Sequence, residues 1–362
     1  MTTREFPGPA RGAPTVSVVM ANFNGGARLA HAVRSVQAQS LAEIEIILSD
    51  DASTDNSIDI VKQLKAADPR IRLLQSDRNG GPSAARNKAL DIVKGEWVAI
   101  VDSDDLIHPK RLATLVELAD RDGADIVADD LIEFSADNFQ PARSFLGRGS
   151  WDQPVWVDIV DYVRLNHFYG SGPCLGYLKP MFRASLLGEP GCRYDETLRI
   201  TEDFDLIFRL LHAGKRMRIY PRPFYLYRKH VNSISYRLNT EVLETIKVAN
   251  LRIIGQTSHS DRRVMDALQA RMRSIDTAID YEHLLDALKA RDWRKSVRIA
   301  LIRPKAAALL RLPMFSRFQK LTRWLMVRKQ AVYPSVPQAR NSDATNQATH
   351  SDGMDAFDGI EM

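Results

Sequence analysis

Apolar runs alternating with amphipathic stretches organise the first third of the chain. Residues 15–22, TVSVVMAN, form an apolar, β-branched run that reads as a buried strand. Similar runs recur at 44–50 (IEIILSD), 71–76 (IRLLQS), 96–102 (EWVAIVD) and 124–130 (ADIVADD). Between them Leu29, Val33 and Val36, then Ile58, Val61 and Leu64, fall at helical spacing, which predicts helices over 27–39 and 55–67. A third helix is expected from Ser83 as N-cap to Gly95 as C′ residue, and a fourth over 109–122, closed by Gly123. This alternation predicts an α/β fold with a mostly parallel, Rossmann-like sheet flanked by helices. Ligands of such sheets bind beyond the carboxyl ends of the strands.

Residues 135–200 are irregular and aromatic-rich. Thr201 is the expected cap of a helix whose apolar positions are Phe204, Ile207, Phe208 and Leu211, ending at Gly214. Short strands are expected at 216–220 and 224–228, and helix over 240–290. Residues 291–330 are basic and amphipathic; Pro304 and Pro313 divide them into two or three short pieces. The domain layout that follows is a flexible leader (1–14), a catalytic domain (15–235), a helical extension (236–333) and a disordered tail (334–362). Within the catalytic domain, 15–134 would bind nucleotide and 135–235 the acceptor. No internal repeat is evident.

Charge sharpens this picture. Residues 291–330 hold twelve Lys or Arg against the single acid Asp292, while the rest of the chain has 38 bases and 44 acids. The net charge of +5 therefore belongs to one segment, which argues against nucleic acid and for one local anionic partner. Cys174 and Cys192 fit neither a zinc site nor a disulfide framework, so a reducing compartment is expected. No run is long and apolar enough to span a bilayer, and the leader lacks a signal-peptide core.

Four polar clusters fall at expected element ends. Asn22-Phe23-Asn24-Gly25-Gly26 follows the first strand; its glycines allow close ligand approach and Phe23 can stack on a base, although a simple turn accounts for it as well. In Asp50-Asp51-Ala52-Ser53-Thr54-Asp55, Ser53 or Asp55 can cap a helix, but capping leaves the Asp50-Asp51 pair unexplained. Asp102-Ser103-Asp104-Asp105 follows an apolar strand; two carboxylates one residue apart can hold a hard divalent cation that also binds phosphate oxygens. Thr201-Glu202-Asp203-Phe204-Asp205 opens a helix, where a carboxylate is either a capping group or a base for an acceptor hydroxyl.

In order and spacing, VSVVMANFN, IEIILSDDASTD, NGGPSAARNKAL, GEWVAIVDSDD, TEDFD and YLYRKHVNSIS resemble the inverting glycosyltransferases of family 2, which have the GT-A fold. The resemblance spans about 15–235. It implies that Asn22, Phe23, Asn24, Asp51, Arg86, Asp102 and Ser103 bind a UDP-sugar, with Phe23 packed on the uracil and Asp51 hydrogen-bonded to it. It implies Mg²⁺ or Mn²⁺ at Asp102 and Asp104, with Asp104 the more direct ligand. His230 matches a histidine that reaches the metal or diphosphate in some relatives; a surface histidine is the rival reading. Asp203 would be the base and Glu202 its support. The chain departs from the family in carrying Ala21 and Phe23, where relatives usually have Pro or Thr and Tyr. Gln319 to Trp324 is one residue too long for the Gln-x-x-Arg-Trp motif of polymerising members, so transfer of a single sugar is expected.

Residues 175–235 also resemble exopolysaccharide transferases of the succinoglycan type. That implies transfer of glucose to a lipid-linked oligosaccharide. The basic, amphipathic 291–330 segment predicts a cytoplasmic enzyme peripheral to the anionic inner membrane. Packing on the catalytic domain or a dimer contact would also account for the amphipathic 291–330 segment. A sugar nucleotidyltransferase would carry basic residues among the glycines after the first strand, and the first base there is Arg28. A dinucleotide oxidoreductase would need G-x-G-x-x-G, which is absent. A binding or scaffold protein with a degenerate site is the non-enzymatic alternative.

Overall fold

The computed structural model of the chain describes residues 12–135, 143–147, 149, 151–189, 191–229, 238–257 and 261–311. Most of the leader, His230, residues 312–330 and the expected tail lie outside them. The chain divides into two compact units, 1–282 and 283–362.

The first unit begins with β1 (Val16–Asn22), α1 (Ala27–Gln37), β2 (Ile44–Asp50), α2 (Ser57–Ala67), β3 (Ile71–Gln75), α3 (Pro82–Leu90) and β4 (Trp97–Ile100). β1 pairs in parallel with β2 and β4, and β2 with β3. Every residue of β2 and β4 is buried, which is why these segments read as mainly apolar runs. The chain continues through β5 (Leu106–Ile107), α4 (Arg111–Asp122), β6 (Ile126–Phe134), β7 (Arg143–Ser144), β8 (Val155–Trp156) and α5 (Ile159–Leu165). β9 (Met181–Arg183), α6 (Ala184–Gly188), α7 (Glu202–His212) and β10 (Met217–Arg228) complete the α/β part. α8 (Thr240–Gln256) and α9 (Arg262–Lys289) follow, then α10 (Trp293–Ile302) and α11 (Pro304–Ala308) in the second unit.

Among the described residues ten strands form one mixed sheet with the path β3-β2-β1-β4-β9-β6-β10-β5. This is the GT-A fold, with one feature the pattern did not show: β9 runs antiparallel between β4 and β6. β10 then pairs in parallel with β6. At three residues β9 is too short for periodicity to reveal it.

Three local expectations are corrected. α3 ends at Leu90, not Gly95, because residues 93–95 pass close to β1. Gly95 donates its N–H to Ser17 Oγ at 2.8 Å, and a Cβ there would lie 2.5 Å from the Ser17 backbone nitrogen. Ser83 does not cap α3; its hydroxyl donates to the Leu198 carbonyl, and Gly81 precedes Pro82 at the first turn. The strands expected at 216–220 and 224–228 are one strand, β10, whose register shifts between Tyr220 and Tyr225 accommodate Pro221 and Pro223. Helix over 240–290 divides into α8 and α9, and Pro304 starts α11, as its fixed φ favours.

Candidate active site

The ends of β1 and β2 are stitched together by side chains. Asn22 is buried and donates from Nδ2 to Asp50 Oδ2 at 2.8 Å and to Ser53 Oγ at 3.2 Å. Asn24 takes positive φ, 54°, and its Oδ1 accepts the Thr54 N–H at 2.8 Å. Gly25 is required at its position, since a Cβ would sit 2.3 Å from Asn22 Oδ1. Phe23 alone turns outward and is 51% exposed at the cavity rim. Asp51 is buried and grips the turn before α3, its two oxygens accepting the Gly80 and Gly81 N–H groups at 2.8 and 2.7 Å.

The centre of the site is an ion-pair lattice. Arg86, on α3, is buried and donates to Glu202 Oε1 at 2.6 Å and Asp102 Oδ1 at 3.0 Å; Asp203 Oδ1 is 3.8 Å away. Lys179, just before β9, is buried opposite it. Its Nζ lies 2.9 Å from Asp102 Oδ2 and 3.3 Å from Asp203 Oδ2. Two cations thus face three carboxylates in one buried cluster. Burial opposes ionisation of Asp102, but Lys179 and Arg86 outweigh it and hold its carboxyl down at about 2. Burial and then the Asp203 charge push Glu202 up, with Arg86 opposing. Burial opposes the Lys179 charge, but Asp102 and Asp203 raise its ammonium well above the ordinary range.

The acids after β4 diverge in environment. Asp105 is fully buried and accepts the Tyr225 hydroxyl at 2.8 Å and the Arg228 N–H at 2.7 Å. Burial, then the charges of Asp104 and Asp102, push its carboxyl well above the usual range. Ser103 and Asp104 are partly exposed and line the cavity. Both oxygens of Asp102 face cations, so of these two acids Asp104 would be the one to reach a bound metal. Among the described residues no three His, Cys, Asp or Glu side chains gather as a metal cage. One or two carboxylates plus substrate phosphates are the usual support for Mg²⁺. The donor set therefore fits an ion shared between Asp104 and a bound diphosphate.

α7 begins at Glu202, both it and Asp203 being buried beside the cavity. Thr201 does not cap this helix: it sits at φ 66° without a side-chain bond to the first turn. The acids of the first turn complement the positive end of the helix dipole instead. The cavity has a volume of about 1030 Å³ and joins Phe23, Asp51, Arg86, Asp104, Lys179 and Asp203. Of the residues singled out from sequence, only His230 lies outside the described part. Lys179 escaped that reading because GYLKPMF carries no motif; a lone charge in an otherwise uncharged segment was its one signal.

The succinoglycan biosynthesis protein ExoO of Rhizobium meliloti (strain 1021) is 31% identical to this chain over 308 residues, covering 85% of the chain and 87% of that protein. The family described as Glycosyl transferase family 2 matches residues 17–186. The chain belongs to glycosyltransferase family 2. It is accordingly an enzyme of that class, and the nucleotidyltransferase reading is set aside. The GalNAc(5)-diNAcBac-PP-undecaprenol beta-1,3-glucosyltransferase of Campylobacter jejuni (subsp. jejuni serotype O:2, strain ATCC 700819 / NCTC 11168) is 34% identical over 137 residues, covering 38% of this chain and 43% of that protein.

 Among solved structures, S. aureus TarS 1–349 in complex with UDP-GlcNAc superposes with a TM-score of 0.54 at 18% identity, covering 79% of this chain and 90% of that one. That likeness bears on the fold.

Proposed function

We propose that this family 2 glycosyltransferase moves one sugar, glucose, from UDP-glucose to a lipid-linked oligosaccharide in exopolysaccharide synthesis, with inversion at the anomeric carbon. The observation that carries the reading is the placement of Asp203. It stands at the start of α7, on the cavity that also holds Asp104, between Lys179 at 3.3 Å and Arg86 at 3.8 Å. These cations hold its carboxylate in place, ready to accept a proton.

In this reading the acceptor hydroxyl oxygen attacks the anomeric carbon while Asp203 takes its proton. The bond from that carbon to the diphosphate oxygen breaks, and UDP departs with the electron pair. The proton moves late, once bonding to carbon has acidified the hydroxyl, so a carboxylate is base enough. A bound Mg²⁺ or Mn²⁺ supplies charge neutralisation at the leaving diphosphate, and Asp104 would hold it. Phe23 offers a ring face to the uracil, and Asp51 reaches the same end of the cavity.

Support for the lipid-linked acceptor and for glucose comes from the name of the Campylobacter relative, and for exopolysaccharide synthesis from that of the Rhizobium one. Among the described residues no helix is long and apolar enough to cross a membrane. Incubating the full chain with a panel of nucleotide sugars and a diphosphate-linked acceptor tests the proposal. UDP-glucose should be consumed fastest, and NMR of the product should show a β-linkage from the α-linked donor. An α-linked product would overturn the displacement mechanism.

A further inference from the structure

Arg271, on α9, is a buried cation of a different kind from Arg86, Lys179 and Arg111. Each of those three faces a carboxylate, Arg111 through Asp129 at 2.8 Å. Arg271 is only 2% exposed, yet among the described residues it takes part in no ion pair. Its Nη1 donates to Asn250 Oδ1 at 2.7 Å, and its Nε is buried without a partner. Its guanidinium lies over the Phe204 ring, 3.6 Å from the centroid. The nearby Asp205 is engaged by Arg209 at 2.7 Å. One amide oxygen and an aromatic face replace only part of the hydration that a guanidinium gives up on burial. Burial lowers Arg271 to about 10, so it remains charged at neutral pH.

Two placements say what this charge faces. Arg271 lines the cavity, and Phe204, on which it lies, directly follows Asp203 in the chain. We propose that Arg271 forms an anion subsite on the acceptor side of the cavity, taking a phosphate or carboxylate carried by the acceptor. The proposal rests on the reading of Asp203 as the group that meets the acceptor hydroxyl. A planar guanidinium with its Nε–H unpartnered suits either oxyanion. His167, which also lines the cavity and has a buried Nε2 without a partner, stands in the same wall.

The test is binding to the full chain saturated with UDP, so that the donor's phosphate positions are filled. Three probes are titrated calorimetrically: octyl glucoside as the neutral one, octyl glucuronide for a carboxylate, and farnesyl diphosphate for a phosphate. At least one anionic probe should bind about ten- to a hundredfold more tightly than octyl glucoside, the scale of a charge-assisted hydrogen bond. Which of the two does so identifies the source of the oxyanion. Arg271→Gln should erase that preference while leaving UDP affinity unchanged; Arg271→Lys should keep part of it. Equal binding of all three probes by the wild-type chain overturns the proposal without any variant. So does a loss of UDP affinity in a folded Arg271→Gln, which would assign the residue to the donor. Binding requires no turnover, so a failed transfer assay counts against the proposed reaction and leaves this result to stand or fall separately.

Discussion

Lys179 Nζ lies 2.9 Å from Asp102, bringing a residue just before β9 against the acid that follows β4. Asp102 thereby receives a cation on each oxygen, Arg86 being the other. Its first task is to join the two halves of the site. Lys179→Met should leave Asp102 and Asp203 underpaired in a buried setting and cost about 3–5 kcal/mol of stability. Urea unfolding at neutral pH measures this; a loss below about 1 kcal/mol would show that the lattice is not structural.

The same lattice sets an acid limit. Asp102 titrates at about 2 in the folded chain against an ordinary 3.8. Acidification therefore protonates the unfolded state first. The stability from Asp102 is fully present above the ordinary value and is lost as pH falls from about 4 to about 2. Unfolding free energy followed across that window should decline in the wild type, and the Asp102 contribution should be absent in Asp102→Asn.

Asp203→Asn keeps size and burial but cannot accept the acceptor proton. Transfer should fall by about 10²- to 10⁴-fold while the UDP dissociation constant stays near that of the wild type. Initial rates and calorimetry separate the two effects. Wild-type turnover in the variant would place the base elsewhere, with Glu202 the next residue to examine.

Metal dependence should divide the Asp102-Ser103-Asp104 acids. A chelator should abolish transfer, and Mn²⁺ or Mg²⁺ should restore it. Asp104→Asn should raise the metal concentration needed for half-maximal rate, with little change in stability. Asp102→Asn should lower stability more than it changes that concentration. The opposite pattern would make Asp102 the direct ligand.

The exposed face of α10 supports the membrane reading of the basic segment. Trp293, Val297 and Leu301, at i, i+4 and i+8, are 64, 58 and 77% exposed, with Arg294, Lys295 and Arg298 on the same helix. Such a helix suits a lipid interface, where each base contributes about 1 kcal/mol near an anionic surface. The full chain should sediment with anionic vesicles at low salt and release at high salt. Replacing Trp293 and Leu301 by Ser should weaken sedimentation; equal binding to neutral vesicles would argue against the electrostatic part.

Much of this protein was legible from local pattern. β1, β2 and β4 announced themselves as apolar runs because a strand buried on both faces carries apolar residues on both, its few polar ones being paired, as Ser17 is with Glu45. The acids after β4 and at the start of α7 stood out because each follows or opens an element whose periodicity is plain. Tertiary structure alone decided the rest. β9 enters between β4 and β6 with three residues, too few to show a period. Arg86 meets Glu202 across 116 positions, and Lys179 meets Asp102 across 77. Arg271, without an acid, differs from Arg86 only in what other segments bring to it. Periodicity records which face of an element is buried. The partner of a buried charge is set by distant segments folding to the same place, and no local pattern encodes that meeting.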